Sequence, residues 1–373
     1  MRDRHLGLVA LLLLAVALGL AVGLLSCQGD ESAAPPTGST VGTPENRAPF
    51  VGALLPGGAG TRWEEQDADA VDQALSDARV DHSVDTAEDA GTQAQEALSR
   101  ATVLLLAPVD GPTGAAIVQA AKGAGVPVVQ YDRVPLAEPF PDYFAGYDRE
   151  AIGRMQAQGL VRCLGDRGIA EGSFIAVNGP EGDPTAEALE EGYTSALGFD
   201  TANKAMVELG TVRAPDWTAE SVRAELGALL DGSGDVDGVL ATSDALATGT
   251  VAELASRGLT DVSVTGGGAT VGGIQRILAG RQCTTVYQPV GTEAGAAAHF
   301  AAEIGRGVVP DLQNTILVGK RRLAAIVSEP VEITDDVQLI NDTVVRDGAM
   351  TWEQICTPAY ERFCPPPSQR QGQ

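Results

Sequence analysis

Short apolar runs alternate with segments of helical periodicity along most of the chain, and this alternation restricts the fold more than any other feature. One series of four runs lies between residues 51 and 132, and a second series of four lies between residues 174 and 266. A strand–helix repeat builds parallel sheets with right-handed crossovers. The runs are apolar almost throughout, as strands covered by helices on both faces are. We therefore predict an α/β protein with two Rossmann-like, doubly wound parallel-sheet lobes.

Two further apolar segments predict connections between the lobes. The segment YFAGYD at 143–148 lies between the two series, and TTVYQP at 284–289 precedes an Ala-rich helix at about 291–306. The first series lacks a helix after its last strand. We therefore expect the chain to cross between the lobes at both segments, so that this helix completes the first lobe.

The roughly 320 residues that follow the N-terminal region suit two lobes better than one core. We expect the first lobe to contain residues 49–145 and about 290–310. We expect the second lobe to contain residues 146–285 and about 311–350. The remaining residues, 351–373, are expected to form a C-terminal tail.

The N-terminal 27 residues have the layout of a secretory signal. Two arginines precede an apolar run from Leu6 to Leu25, and the run ends in LLSC, which resembles the lipobox of bacterial lipoproteins. An uncleaved membrane anchor is the alternative. Residues 28–48 are mostly Gly, Ser, Thr, Pro, Ala and acids, a composition typical of a flexible tether. We expect export, and a lipid on Cys27 that anchors the protein to the outer face of the cytoplasmic membrane.

The composition argues against several classes of function. The formal net charge is −25, which is unfavourable for binding nucleic acid or anionic lipid. The chain has three histidines and neither an HExxH nor a CxxC pattern. We therefore expect no metal, no cofactor and no enzymatic activity.

Four cysteines besides Cys27 are able to form disulfides in an exported protein. Cys356 and Cys364 are close in sequence, which favours a local pair, and Cys163 would then pair with Cys283. Free buried thiols are the alternative.

Polar and aromatic residues follow the predicted strands, where ligands bind in an open α/β sheet. These candidates are Arg62, Trp63, Asp132, Arg133, Asn178, Asp183, Asp216, Trp217, Asp244, the loop Thr265–Thr270, Tyr287 and Gln288. Aromatic rings stack on the apolar faces of sugars, arginine bonds two adjacent hydroxyls, and aspartate accepts from hydroxyls. The set therefore favours a sugar-binding cleft between the lobes.

Three of these candidates have a structural alternative. Trp63 is also compatible with a place in a helix core. Asp132 and Arg133 are compatible with a local ion pair at a turn, and Asp216 with the N-cap of the helix that follows.

Several long motifs resemble the periplasmic D-xylose-binding proteins, which are type I sugar-binding proteins of ABC importers. The motifs are RW, VVQYDR, YFAGYDREAIGRMQAQGLV, ATSDALATGTVAELASRGL, GIQRILAG and TTVYQPV, and the resemblance extends from about residue 50 to about 348. It implies two lobes that are joined by three crossings and close on a monosaccharide. It also implies that Arg62, Asp132, Arg133, Trp217 and Asp244 contact the ligand.

The chain departs from this family mainly in the second lobe. The acid that contacts ligand in the family falls on Gly268, and the family's lysine falls on Gln288. The family has Asn-Asp where this chain has SD at 243–244, and Asp-Asn-Asn-Ala where it has DPTA at 183–186. The first lobe's half of the implied site is retained, and the second lobe's half is largely rewritten.

The resemblance implies a monomeric binding protein that captures a monosaccharide or a related sugar and delivers it to ABC permease subunits. The alternative is a sensory receptor that presents its ligand to a membrane histidine kinase. Both use the same closed lobes, so the sequence does not distinguish them.

Overall fold

The computed structural model describes residues 48–57, 62–87, 90–134, 138–308, 314–318 and 321–370. The predicted signal, Cys27 and the predicted tether up to residue 47 lie outside the described residues. Of the helices in the described parts of the chain, none combines the length and the apolar character that crossing a bilayer requires.

The first series forms alternating strands and helices, as predicted. Its elements are β1 (Phe50–Pro56), α1 (Ala68–Asp77), β2 (Asp81–Ala87), α2 (Ala90–Arg100), β3 (Val103–Leu106), α3 (Gly111–Gly123), β4 (Val128–Tyr131) and β5 (Tyr143–Tyr147). A π-helical turn, Trp63–Asp67, leads directly into α1. Strands β1, β3 and β4 are buried along their whole length, which explains why their sequences are apolar at nearly every position.

The second series is also built as predicted. Its elements are α4 (Arg149–Asp166), β6 (Gly172–Asn178), α5 (Pro184–Ala202), β7 (Met206–Arg213), α6 (Ala219–Ser233), β8 (Gly238–Ala241), α7 (Asp244–Ser256), β9 (Ser263–Val264), α8 (Val271–Leu278) and β10 (Thr285–Tyr287). Helices α4 and α5 pack closely because each has a glycine at the contact. A Cβ on Gly153 would lie 2.1 Å from the carbonyl oxygen of Leu189, and one on Gly192 would lie 2.1 Å from that of Glu150.

The rest of the chain returns to both lobes. Its elements are α9 (Val290–Gly305), β11 (Asn314–Val318), β12 (Arg321–Ser328), β13 (Val331–Ile333), α10 (Val337–Ile340), a π-helical turn at Asn341–Val345, α11 (Trp352–Ile355) and two 3-10 turns, Glu361–Phe363 and Pro367–Gln369. The helix α9 completes the first lobe, as predicted, since its Phe300 shares a core with Val51, Val103 and Val129.

Two sheets of different size carry the lobes. The first has seven strands in the order β11-β12-β5-β4-β3-β1-β2, and the second has four in the order β7-β6-β8-β9. All pairs are parallel except β11 with β12, and a separate antiparallel pair joins β10 to β13. The doubly wound α/β prediction is confirmed.

The structure corrects the predicted boundary at about residue 311. We assigned residues 311–350 to the second lobe, but β11 and β12 extend the first sheet, where Ala324 pairs with Tyr143 and Ser328 with Tyr147. The chain then crosses from β12 to β13. Together with the steps from β5 to α4 and from β10 to α9, this gives three crossings between the lobes.

The predicted C-terminal tail is a packed part of the second lobe as far as residue 370. Trp352 and Ile355 are buried with Ile274 and Ile277 of α8. The indole nitrogen of Trp352 donates to Asn341 Oδ1 at 2.8 Å. Two disulfides complete this lobe, one between Cys163 and Cys283 and one between Cys356 and Cys364, and these are the favoured pairs.

Candidate functional site

The end of β4 places two charged side chains in different directions. Asp132 has a φ of +60°, a left-handed conformation that aspartate adopts more readily than most residues. Its Oδ1 accepts a hydrogen bond from Arg149 Nη2 at 2.8 Å. Arg133 turns away and donates from Nη1 to the carbonyl oxygens of Pro108 and Val109, both at 2.8 Å. The alternative of a local ion pair between Asp132 and Arg133 is therefore wrong.

Arg62 is held in place by a buried carboxylate. It donates from Nε to Asp67 Oδ2 at 2.7 Å and from Nη2 to Asp67 Oδ1 at 2.8 Å. Tyr131 OH also donates to Asp67 Oδ1, at 2.9 Å. The bidentate contact fixes the plane of the guanidinium group, and Arg62 Nη2 lies 3.6 Å from Asp132 Oδ1.

Sequence reasoning missed Arg149, which links the two halves of the site. It is the first residue of α4, whose N-cap Asp148 accepts hydrogen bonds from Glu150 N and Ala151 N. Besides its bond to Asp132, Arg149 donates to the side-chain oxygen of Gln288. The sequence did contain a signal for this residue, because Arg149 is a basic residue that follows closely on the predicted crossing strand.

Trp63 lies beneath the arginines and is only 9 % exposed. The guanidinium carbons of Arg62 and Arg133 lie 4.9 Å and 5.0 Å from its ring centre, and Tyr131 contacts it edge-on. Cation–π contacts of this kind stabilise the positions of both arginines. The structure thus favours the core alternative for Trp63 over the predicted stacking on a sugar.

Trp217 is half-buried beside the crossings. It packs near Tyr147 and Val286. Its indole nitrogen donates to Asp183 Oδ2 at 3.3 Å, while Asp183 Oδ1 caps α5. A Cβ on Gly179 would lie 2.2 Å from Trp217 Cζ2, so this glycine is required for the ring's position.

Asp244 is fully occupied by protein donors. Its Oδ2 accepts from Thr270 N at 2.7 Å and Thr270 Oγ1 at 3.0 Å. Its Oδ1 accepts from Gln282 Nε2 at 2.8 Å and Thr285 Oγ1 at 2.9 Å. The residue is 1 % exposed. The structure therefore corrects its predicted role, because Asp244 anchors the loop before α8 instead of presenting an oxygen to a ligand.

Three further candidates are placed as follows. Asp216 is exposed and accepts from Thr218 N and Thr218 Oγ1, but the N-cap of α6 is Thr218, so the capping alternative for Asp216 is wrong. The side chain of Asn178 is buried, with its amide nitrogen bonded to Ala186 O. Gly268 is exposed, and its N–H donates to Val286 O at 2.8 Å, which places it beside β10.

The charges of the first-lobe cluster reinforce one another. Burial opposes ionisation of Asp132, but Arg149 and Arg62 hold the pKa of its carboxyl below the usual range. Burial also opposes the charge on Arg62, yet the hydrogen bonds to Asp67 and the nearby carboxyls raise its pKa further. Glu293 lies 3.5 Å from Arg62 Nη2 and was not predicted as part of the site. Burial raises the pKa of Glu293 well above its ordinary value.

A cavity of about 680 Å³ opens beside the first crossing. It adjoins the cluster at Tyr147 and Arg149, and the rest of its described lining comes mainly from β11, β12, α5 and the segment after β4. Arg62, Asp132 and Trp217 are not among its described lining residues, so the cavity is a neighbour of the predicted site.

Comparison with known families identifies this arrangement of lobes. The pattern of the family described as "Periplasmic binding protein domain" matches residues 51–307. The chain belongs to this family. For a periplasmic binding protein, the cluster around Asp132 and Arg149 occupies the junction between lobes, where two of the three crossings meet.

Relatives of this periplasmic binding protein are named as sugar binders. The D-xylose-binding periplasmic protein of Escherichia coli (strain K12) is 29 % identical over 248 residues, which cover 66 % of this chain and 73 % of that protein. The multiple sugar-binding periplasmic protein SbpA of Azospirillum brasilense is 27 % identical over 327 residues, 82 % of this chain and 91 % of the relative. A carbohydrate transporter solute-binding protein of Chloroflexus aurantiacus, solved with D-glucose, superposes with a TM-score of 0.67 at 25 % identity and covers 83 % of this chain and 98 % of its own.

Proposed function

We propose that this chain is an extracytoplasmic substrate-binding lipoprotein that captures a monosaccharide or a related sugar and delivers it to an ABC importer. The observation that carries the proposal is the polar cluster at the lobe junction, where Arg149 of α4 reaches Asp132 of the first lobe and Gln288 of the second crossing. Fixed guanidinium forks and a carboxylate are suited to neighbouring sugar hydroxyls. A hinge motion at the crossings would enclose the ligand.

The comparisons support a sugar as the ligand class. The relatives named above bind D-xylose, several sugars or D-glucose according to their names. The half-buried ring of Trp217 supplies an apolar surface for the face of a pyranose, and Asp183 orients that ring. We infer that the protein binds the sugar without transforming it, acts as a monomer, and passes the sugar to permease subunits.

D-xylose itself is not the ligand that we expect to bind most tightly. The D-xylose-binding pattern has an acid and a lysine where this chain has Gly268 and Gln288, and each lost charged hydrogen bond is worth roughly 1.5–3 kcal/mol. A Cβ at Gly268 would meet only Thr270 Cγ2 within 4.0 Å, which leaves room for a larger sugar. The φ of +104° at Gly268 also disfavours any side chain there. We propose a larger or differently substituted sugar.

Attachment to the membrane is a further part of the proposal. The LLSC motif and the polar segment after it support lipid modification of Cys27 and a tether of residues 28–48 at the outer face of the cytoplasmic membrane. We expect at least two acyl chains, since one chain holds a protein only marginally. Mass spectrometry of the mature N-terminus tests this, and a mature chain that begins elsewhere than Cys27 would refute it.

A thermal-shift screen of monosaccharides and disaccharides on the full chain in detergent tests the ligand class. A ligand that binds only the folded state raises the melting temperature, because it increases the free energy of unfolding. At a concentration of one hundred times its Kd, this increase is about 2.7 kcal/mol. We expect at least one sugar to raise the melting temperature in a saturable way. A screen in which amino acids, polyamines or nucleosides stabilise the chain and sugars do not would contradict the proposal.

A further inference from the structure

Three buried carboxyls face two guanidinium groups on the first-lobe side of the proposed sugar site. The side chains of Asp67, Asp132 and Glu293 are 0 %, 8 % and 0 % exposed. Arg62 Nη2 lies 3.6 Å from Asp132 Oδ1 and 3.5 Å from Glu293 Oε2, and Arg149 Nη2 lies 2.8 Å from Asp132 Oδ1. Among the described residues, Arg62 and Arg149 are the cations within 4 Å of these carboxyls, while the charge of Arg133 reaches Asp132 from further away. Direct ion pairs therefore balance only two of the three carboxylates.

Hydrogen bonding distinguishes Glu293 from the other two carboxyls. Asp67 accepts from Arg62 and Tyr131, and Asp132 accepts from Arg149. Neither oxygen of Glu293 receives a hydrogen bond from any donor among the described residues. A buried carboxylate without donors is far less stable than the neutral acid, because it has lost its hydration without replacement.

The remaining polar groups around Glu293 are committed elsewhere. Tyr131 donates to Asp67, and Tyr147 donates to the carbonyl oxygen of Pro289 at 2.9 Å. Arg133 faces the ring of Trp63 and two backbone carbonyls. Asp132 is a nearby charged carboxylate that adjoins the proposed cleft, and it is placed to accept the acidic hydrogen of a neutral Glu293.

We propose that Glu293, held as a neutral acid, is a positioning residue of the sugar site that donates a hydrogen bond to Asp132 and so keeps Asp132 and Arg62 directed at the ligand. The inference rests on the proposed function for its ligand and on the described contacts for its geometry. Its consequence is that both sugar affinity and ligand-free stability depend on the proton of Glu293.

The direction of this pH dependence follows from the cluster. Burial, and then the charge of Asp132, raise the pKa of Glu293 in the folded protein above that of the unfolded chain. Its contribution to stability is therefore complete below the ordinary glutamate pKa and is lost as the pH rises through the raised value. Ionised Glu293 also repels Asp132, so the sugar affinity falls in the same direction.

The test compares Glu293→Gln and Glu293→Leu with the wild-type full chain. Glutamine keeps a neutral donor, and leucine removes both the titrating group and the donor. Glu220→Gln is the matched control, because Glu220 also lies in the first turn of a helix but is exposed. The free energy of unfolding in urea without ligand, and the Kd values for D-glucose and D-xylose, are measured from about pH 5 to about pH 9.

We expect the wild type and the control to lose stability with rising pH relative to both Glu293 variants. The wild-type Kd for a bound sugar should rise about tenfold per pH unit above the pKa of Glu293. The Gln variant should keep the wild-type affinity measured at low pH and lose this rise, while the Leu variant should bind weakly at every pH.

Two outcomes separate this inference from the proposed function. Parallel stability profiles for the wild type and both Glu293 variants would overturn the inference, whether or not a sugar binds. The stability profiles could instead differ as expected while D-glucose, D-xylose and every sugar of the screen fail to bind. That result would support a neutral Glu293 but would refute both its role in a sugar site and the proposed function. Equal affinity of the Leu and Gln variants would refute the donor role.

Discussion

Arg149 connects the lobes, since it belongs to α4 and bonds to Asp132 and Gln288. Arg149→Met keeps the aliphatic stem and removes the charge and the donors. We expect the Kd of a bound sugar to rise about 10- to 100-fold, because a hydrogen bond to a charged group contributes about 1.5–3 kcal/mol. Calorimetric titration measures this change.

Arg154→Met is the matched control for that experiment. Arg154 lies one and a half turns further along α4, is more exposed and pairs only with Asp148 and Glu150 among described residues. Its replacement should change the Kd by less than about threefold. Equal effects of the two variants would mean that Arg149 acts through general charge and does not touch the ligand.

Asp244 is a residue whose replacement should affect folding and not binding. Asp244→Ala leaves Thr270 N, Gln282 Nε2 and Thr285 Oγ1 without their acceptor. Unmade buried hydrogen bonds cost about 1–3 kcal/mol each, so we expect a loss of about 3–5 kcal/mol in the free energy of unfolding. Urea unfolding measures the loss.

The comparison for Asp244 is the exposed ion pair of Asp231 with Arg257. Asp231→Ala should cost less than about 1 kcal/mol, as exposed pairs usually do. A small effect of Asp244→Ala together with a large rise in sugar Kd would contradict the structural role and restore Asp244 as a ligand contact.

At the scale of elements, local patterns predicted the strands and helices but not every pairing. The sequence placed Asp132 and Arg133 correctly at the end of β4, since the run before them is mostly apolar and the position is defined by the strand's end. It failed for β11 and β12, because their membership of the first sheet depends on pairing with β5, about 180 residues earlier, and nothing local encodes that partner.

The same reasoning explains which site residues the sequence did not reveal. Glu293 lies in the first turn of α9, where an acid is ordinary at a helix start. It joins Arg62 and Asp132 only after α9 has packed onto the first lobe. The family resemblance implies a ligand contact at Asp244, and Trp63 is next to the implied contact Arg62. The burial and the contact partners of both residues depend on the packed structure, so the sequence did not reveal them.

The disulfide between Cys163 and Cys283 ties α4 to the segment before β10. It closes a sequence separation of 120 residues, whereas Cys356 and Cys364 are separated by 8. Loop entropy makes the longer closure more stabilising by about 2 kcal/mol. We compare the double variant Cys163→Ala, Cys283→Ala with the double variant Cys356→Ala, Cys364→Ala. We expect the first to lose about 2 kcal/mol more of the free energy of unfolding than the second. Equal losses in urea unfolding would contradict this.

At the scale of the molecule, the proposed sugar site draws on both lobes and on the crossings between them. The first lobe supplies Arg62 and Asp132, α4 supplies Arg149, and the second lobe supplies Trp217. This division explains how ligand binding and lobe closure are coupled in the proposed function, because a sugar that contacts all four residues draws both lobes together.

Isothermal titration of the full chain with D-glucose, D-xylose and the best sugar from the screen, in the wild type and in Asp132→Ala, tests the central claim most directly. The account predicts one sugar bound per chain, a sugar other than D-xylose as the tightest ligand, and a Kd about 30- to 1,000-fold higher in Asp132→Ala, since a buried charged contact of about 2–4 kcal/mol is lost. Sugar binding that is unchanged in a folded Asp132→Ala chain, or the absence of any sugar binding in the wild type, would contradict it.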